Sequence, residues 1–341
     1  MILLRKILFP FSILYGFITA IRNYMYDVGF LKSYSYGIPV IVVGNLSVGG
    51  TGKTPQIEYL IRLFSKQYQI ATLSRGYKRK SEGFVLANES TSVEEIGDEP
   101  FQFFTKFKNI QVAVDANRKN GIEQLLSQPQ KPDIILLDDA FQHRRVKAGF
   151  YILLTSYTDL YADDFLLPTG NLREYRSNAI RAQVIIVTKC PSNLSQESQQ
   201  IVRNKLSIKD NQHLFFSCIS YDESCLSEEE VVSSFSIRET HKVLVAGIAK
   251  PEPFFDYLRK DSDILLEFSD HYDFSSTDID SILEQAEESP IITTEKDYMR
   301  LKGKVPNKQL YYLPIQSSFL SQKDLFDQLL RNYVEQSSGN C

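Results

Sequence analysis

A chain of 341 residues, 43% hydrophobic and 23% charged, has room for two cored domains and is too apolar for long disorder. Its net charge of −4 gives no electrostatic reason to expect a nucleic-acid partner. Cys190, Cys218, Cys225 and Cys341 show no CxxC or Cys/His metal spacing, which argues against a disulfide framework and fits a reduced cytosolic setting.

Residues 1–32 differ from the rest. Leu4, Ile7, Phe11, Leu14, Ile18, Ile21, Met25 and Val28 recur at steps of three and four, a single apolar helix stripe broadened by Phe9, Ile13, Tyr15 and Phe17. Arg5, Lys6, Arg22 and Lys32 outweigh Asp27. Thr19-Ala20-Ile21-Arg22 is a poor signal-peptidase site. The uncharged stretch 7–21 falls short of the about 20 apolar residues that span a bilayer, and it contains Pro10 and Gly16. The pattern predicts an amphipathic helix on an anionic membrane surface; a helix packed on its own domain is the plainer alternative.

From residue 33 onward, β-like runs at 38–43, 69–73, 110–114, 133–138, 150–154 and 184–188 alternate with helical patterns at 54–66, 97–107, 117–127 and 171–181. This predicts a phosphate-loop α/β domain over 33–205, its parallel sheet covered by helices on both faces. Residues 206–235 read as a linker with one or two strands, and 236–341 as a smaller α/β domain, with strands at 242–247, 263–268, 290–294 and 309–314 and helices at 251–260, 276–287 and 321–335. The cleft between the domains is the expected site.

The first strand runs into Gly44-Asn-Leu-Ser-Val-Gly-Gly-Thr-Gly-Lys-Thr54. A buried strand, a glycine-rich loop and Gly-Lys-Thr at a helix start make a nucleotide phosphate cradle. Gly49, Gly50, Thr51 and Gly52 would wrap phosphate, Lys53 would meet the β/γ oxygens, and the Thr54 hydroxyl would face Mg²⁺. The pattern wants glycine where Ser47 stands.

Further constellations end the later strands, where ligands of open α/β sheets bind. Ile134-Ile-Leu-Leu-Asp138-Asp139 offers two acids to a metal shell, with Asp138 closing the apolar run. His143, Arg144 and Arg145 follow, placed to hold phosphate oxygens or a leaving group, with a solvated basic turn as the alternative for the two arginines. Asp98, at the start of a helix, reads as an N-cap or as a general base. His271 follows a strand and matters if it reaches Asp98, whose carboxylate would raise its basicity. Glu295-Lys296-Asp297 either cap a helix or contact nucleotide. Arg173 and Glu174 begin the 171–181 helix and are placed to face metal and phosphate.

Together Val43–Pro55, Leu73-Ser-Arg75-Gly-Tyr77, Gly97-Asp-Glu-Pro100, Leu137–His143, Pro168–Glu174, Asp270-His-Tyr272 and Thr294–Asp297 resemble, in order, the motifs of the tetraacyldisaccharide 4′-kinases of lipid A synthesis. Ala140 replaces a usual glycine and Tyr175 a frequent proline; neither removes a functional group. The resemblance implies ATP-dependent phosphorylation of the 4′-hydroxyl of tetraacyldisaccharide 1-phosphate, giving lipid IVA. It places the protein peripherally or monotopically at the cytoplasmic face of the bacterial inner membrane, as a monomer. It implies an Asp98–His271 dyad that activates the hydroxyl, with Lys53 neutralising the γ-phosphate. Thr54 and Asp138 would hold Mg²⁺, with Asp139 and Glu174 close by, and Glu295, Lys296 and Asp297 would contact ATP. Asn45, Arg75, Gln142, His143 and Arg173 would contact the lipid A disaccharide precursor. A GTPase or switch ATPase is the rival class. Thr188-Lys189-Cys-Pro191 lacks the acid of a guanine motif, and Val48 stands where dimeric switch ATPases carry a lysine.

Overall fold

The apolar run at 38–43 becomes a strand, Val40–Asn45, with every residue buried. Val40 and Val42 enter one hydrophobic layer, Ile41 and Val43 the other, because successive strand side chains point to opposite faces. A strand buried on both sides belongs inside a helix-covered sheet. The computed structural model describes residues 5, 7–270 and 272–338 and has this arrangement.

Along the chain the strands are β1 (Val40–Asn45), β2 (Ile70–Ser74), β3 (Val85–Leu86), β4 (Ile110–Val114), β5 (Ile134–Asp138), β6 (Phe150–Ser156), β7 (Val184–Thr188), β8 (His213–Tyr221), β9 (Ser224–Leu226), β10 (Val231–Ser233), β11 (Val243–Ala246), β12 (Ile264–Glu267), β13 (Ile291–Thr294), β14 (Leu310–Leu313) and β15 (Ile315–Phe319). They form two sheets, ordered β15-β8-β7-β6-β1-β5-β2-β4-β3 and β10-β9-β14-β13-β11-β12. In the first, β1 lies parallel between β5 and β6, and the short β3 pairs antiparallel on β4. In the second, β11, β12, β13 and β14 are parallel, and the β9–β10 hairpin adds on antiparallel.

The chain makes two compact units: Met1–Ile219 with Ser317–Cys341, and Ser220–Gln316. This corrects the expected boundary at 236–341. The last helix, Lys323–Ser338, returns to the first unit. Its Phe326, Leu330 and Val334 are fully buried in the layer that holds Ile57, Leu60, Ile61 and Phe64 of the helix Lys53–Phe64. The sequence pattern places this helix, at 321–335, in the second domain; its burial places it in the first unit. The expected linker at 206–235 is likewise structured: β8 joins the first sheet, and β9 and β10 join the second. The second unit has its own core of Leu244, Ala246, Phe254, Phe255, Leu258 and Ile292.

The helix expected over 171–181 is a further correction. Residues up to Tyr175 are extended or turning, and only Arg176–Arg181 forms a 3₁₀ turn. The cause is tertiary: Arg173 N–H donates to Leu46 O (2.7 Å), Asn171 O accepts from Val48 N–H (2.8 Å), and Leu172 O accepts from Leu167 N–H (2.9 Å). Backbone groups committed to a neighbouring loop cannot close i→i−4 helical bonds.

The N-terminal helix runs from Phe9 to Asp27, and its buried residues are Ser12, Gly16, Thr19 and Asn23. Phe11, Leu14, Phe17, Ile18 and Ile21, from the apolar stripe and its flanks, are exposed. Among the described residues no helix is long and apolar enough to cross a membrane.

Truncation of Leu330 to alanine is expected to lower the stability of the first unit by about 2–5 kcal/mol through the cavity it leaves. Denaturant unfolding followed separately for the two units checks this; a loss confined to the second unit would return the helix to it.

Candidate active site

The phosphate loop follows β1 at the centre of the first sheet. Gly52 caps the helix Lys53–Phe64 with φ +83°, a left-handed conformation that favours glycine. The helix therefore begins with Lys53 and Thr54, its unpaired N–H groups and positive dipole end turned toward the loop. Gly49 also has positive φ, Thr51 is buried, and Gly50 lies between them. Thr188 at the end of β7 steadies the loop by donating its hydroxyl to Thr51 O (2.8 Å). Ser47, the departure from the glycine pattern, forms an antiparallel bridge with Leu172. The first half of the loop is thus held extended by the strand-like segment 166–175, a conformation open to any residue.

Asp138 ends β5 opposite Val43 of β1, which brings the second acidic strand beside the loop. The two acids have different fates. Asp139 sits at φ +47° and accepts both Nη1 (3.1 Å) and Nη2 (2.7 Å) of Arg173. Lys53 Nζ is 3.8 Å from its Oδ1. Burial disfavours its charge, but Lys53 and Arg173 outweigh burial and hold its carboxyl at about 2. Arg173 also donates to Asn45 Oδ1. Asp138 is buried, and its Oδ1 has no hydrogen-bond partner. Burial first, and then the nearby charge of Glu99, push it up to about 7 despite Lys53.

Glu99 was not singled out from the sequence. The Thr54 hydroxyl donates to its Oε1 (3.3 Å). It stands beside Asp98 at the start of the helix Asp98–Lys106, and the run Gly97-Asp98-Glu99-Pro100 carried the signal for both acids. Gly97, rather than Asp98, takes the N-cap place of this helix. At φ +89°, a Cβ there would lie 2.8 Å from Tyr77 O, so glycine lets the loop after β2 pack against the start of the helix. Arg75 on that loop is exposed. Arg118 was also missed. It is buried, donates to Asp115 O (2.8 Å) and Asp138 O (3.2 Å), and is lowered to about 10 by burial. His143 is pushed down to about 4, mainly by burial and then by Arg118, with Arg75 and Arg22 adding to the positive field.

A buried acid oxygen without a donor, next to a hydroxyl and a second acid, is a charge-rich spot suited to a hard divalent cation. Among the described residues no group of three or more His, Cys, Asp or Glu side chains has ligating geometry. Asp139 is committed to Lys53 and Arg173. Glu174 is fully buried: Oε1 accepts from Arg181 (2.6 Å) and Gln142 (2.9 Å), and Oε2 from Asn23 (2.9 Å). The expectation that it faces metal is corrected, because both oxygens are occupied by protein donors. Gln142 donates as well to Asn45 O (2.9 Å).

In the second unit Asp297 is fully buried and accepts from Gly247 N–H (2.8 Å), the Thr294 hydroxyl (2.7 Å) and Arg300 (3.0 Å). Its carboxylate braces the end of β13 against the end of β11, and Thr294 caps the helix Glu295–Leu301. Of the expected nucleotide contacts, Asp297 is therefore a bracing residue. Glu295 is buried and Lys296 is half-buried. His271 lies outside the described residues.

Residues 4–335 match the family described as LpxK, tetraacyldisaccharide-1-P 4′-kinase. The tetraacyldisaccharide 4′-kinase of Flavobacterium johnsoniae is 62% identical over 335 residues, which cover 98% of each chain. That of Bacteroides thetaiotaomicron is 44% identical, covering 99% of this chain and 95% of its own. The crystal structure of LpxK from Aquifex aeolicus in complex with ATP is similar with a TM-score of 0.79 at 30% identity, over 97% of this chain and 99% of that one.

If Glu174 is a buried cross-link, replacing it with alanine strands Arg181, and stability should fall by about 3–5 kcal/mol. Urea unfolding measures this; unchanged stability with lost metal affinity would restore it to a metal shell.

Proposed function

The chain belongs to the tetraacyldisaccharide-1-P 4′-kinase family, and from that premise we propose how its residues divide the work of the reaction. It is a kinase of lipid A biosynthesis that moves phosphate from ATP to the 4′-hydroxyl of tetraacyldisaccharide 1-phosphate. The observation that carries the reading is the Lys53–Asp139–Arg173 group at the phosphate loop. Arg173 grips Asp139 from both nitrogens, while Lys53 stands off at 3.8 Å. An ammonium so loosely held on a flexible stem is free to swing to an incoming phosphate.

Gly49, Gly50, Thr51 and Gly52 supply the backbone cradle, and Lys53 neutralises the γ-phosphate as charge develops. Thr54, Asp138 and the neighbouring Glu99 would hold Mg²⁺, which supplies charge neutralisation on the phosphates when bound. Asp98 accepts the proton of the sugar hydroxyl, with His271 as its partner; a positioned base contributes about 10²–10⁴-fold. Asn45, Gln142 and Arg173, already joined by hydrogen bonds, face the acceptor. Arg75 and His143 complete its site, where Arg22, Arg75 and Arg118 make a positive field suited to a phosphorylated sugar. Glu295 and Lys296 serve the nucleotide.

The N-terminal helix supports attachment, as a monomer, to the cytoplasmic face of the inner membrane. A helix packed for its own sake buries its apolar face; this one buries Ser12, Gly16, Thr19 and Asn23 and exposes Phe11, Ile18 and Ile21.

Lys53→Ala should lower transfer of γ-phosphate to the lipid acceptor by about 10²–10³-fold in detergent, with the fold intact; normal turnover would refute the cradle. Phe11→Ser with Ile18→Ser should abolish co-sedimentation with anionic vesicles while preserving transfer to acceptor in mixed micelles. Retained sedimentation would place the anchor elsewhere.

A further inference from the structure

We propose that the N-terminal helix is a positioning element for the nucleotide, acting through Asn23 and Glu174 on the phosphate loop. The inference rests on the reading of that loop as the ATP cradle. A helix that served only as an anchor would need no directional attachment to the catalytic unit. This one is fixed by buried polar bonds to the segment 166–175. The Ser12 hydroxyl donates to Leu166 O (3.0 Å) and accepts from Thr169 N–H (3.0 Å). The Tyr15 hydroxyl donates to Arg173 O (2.8 Å). At Gly16 a Cβ would fall 2.4 Å from the Tyr175 hydroxyl and 2.6 Å from Leu166 Cδ1, so helix and segment touch closely.

The opposite edge of the same segment is bonded to the phosphate loop, through Arg173 N–H to Leu46 O and Val48 N–H to Asn171 O. Glu174 joins the two edges. Its Oε2 takes the Asn23 amide and its Oε1 takes Gln142, whose amide also holds Asn45 O at the end of β1. Arg173, the next residue, grips Asp139 and Asn45. A fully buried carboxylate with donors on both oxygens allows little slack. Removing the Asn23 amide leaves one of those oxygens without a donor. Glu174 must then shift or draw in water, and the adjacent Arg173 loses part of its fixed geometry. Asn23 works through Glu174 and Arg173 rather than by touching substrate.

Full-length Asn23→Ala and Gly16→Leu proteins in detergent test this by calorimetric titration with ATP, alongside vesicle sedimentation and thermal unfolding. The expected result is a Kd for ATP raised about five- to tenfold, a KM for ATP raised in step, and vesicle binding retained. ATP affinity equal to wild type in both variants, or a rise confined to the KM for lipid, would overturn the proposal. Should Gly16→Leu fail to fold, Asn23→Ala, which removes only an amide, decides alone. Wild-type protein that binds no ATP would sink the reading of the loop instead, and the inference with it.

Discussion

The bidentate contact between Arg173 and Asp139 sets the geometry around it. Asp139 occupies a left-handed backbone conformation that few residues adopt without support. Arg173 and Lys53 supply that support and keep its carboxyl charged. With Asp139 held, the chain turns sharply after β5, and Asp138 is left buried at the strand end facing Glu99 and Thr54. Two adjacent acids thus divide into one that organises cations and one that stays short of partners. The division follows from their neighbours, since the residue type is the same.

Much of this arrangement was legible in the sequence. The strands flanking the loop read as apolar runs because they are buried on both faces, and the loop itself reads from its glycines and Lys53-Thr54. What failed to read were features set by distant partners. The helical pattern at 171–181 is real as spacing, but bonds to Leu46 and Val48, more than a hundred residues upstream, claim its backbone. Glu99 carries no signal of its own beside Asp98, and its role comes from the Thr54 hydroxyl that the fold brings to it. Glu174 looked like a ligand because its motif lies among ligands; only the packing reveals Asn23, Gln142 and Arg181 around it. Arg118, with no motif of its own, gave no signal, because a lone arginine at a helix start is ordinary.

The N-terminal stripe shows the same limit from the other side. Periodicity identified the apolar face correctly and could not say which face would be buried. In water an apolar face turned outward is unfavourable by about 1.5–3 kcal/mol for each large side chain, which is the physical argument for the proposed membrane contact of that face. The enzyme's acceptor carries four acyl chains and is itself a membrane lipid. Under the proposed attachment, a catalytic unit whose polar helix face points inward and whose apolar face points outward would meet such an acceptor without extracting it.

The return of the helix Lys323–Ser338 to the first unit has a consequence for biogenesis. The second unit, Ser220–Gln316, is an insertion, continuous in sequence and complete once residue 316 has been made. The first unit is discontinuous. Its sheet lacks β15 and one hydrophobic layer lacks Phe326, Leu330 and Val334 until synthesis has passed the second unit. Domains made on the ribosome tend to fold in order of emergence, and here that order is reversed for the final step. The nascent phosphate loop is exposed early but stands on an unfinished core, so phosphate-transfer competence arrives only after nearly the whole chain has been made.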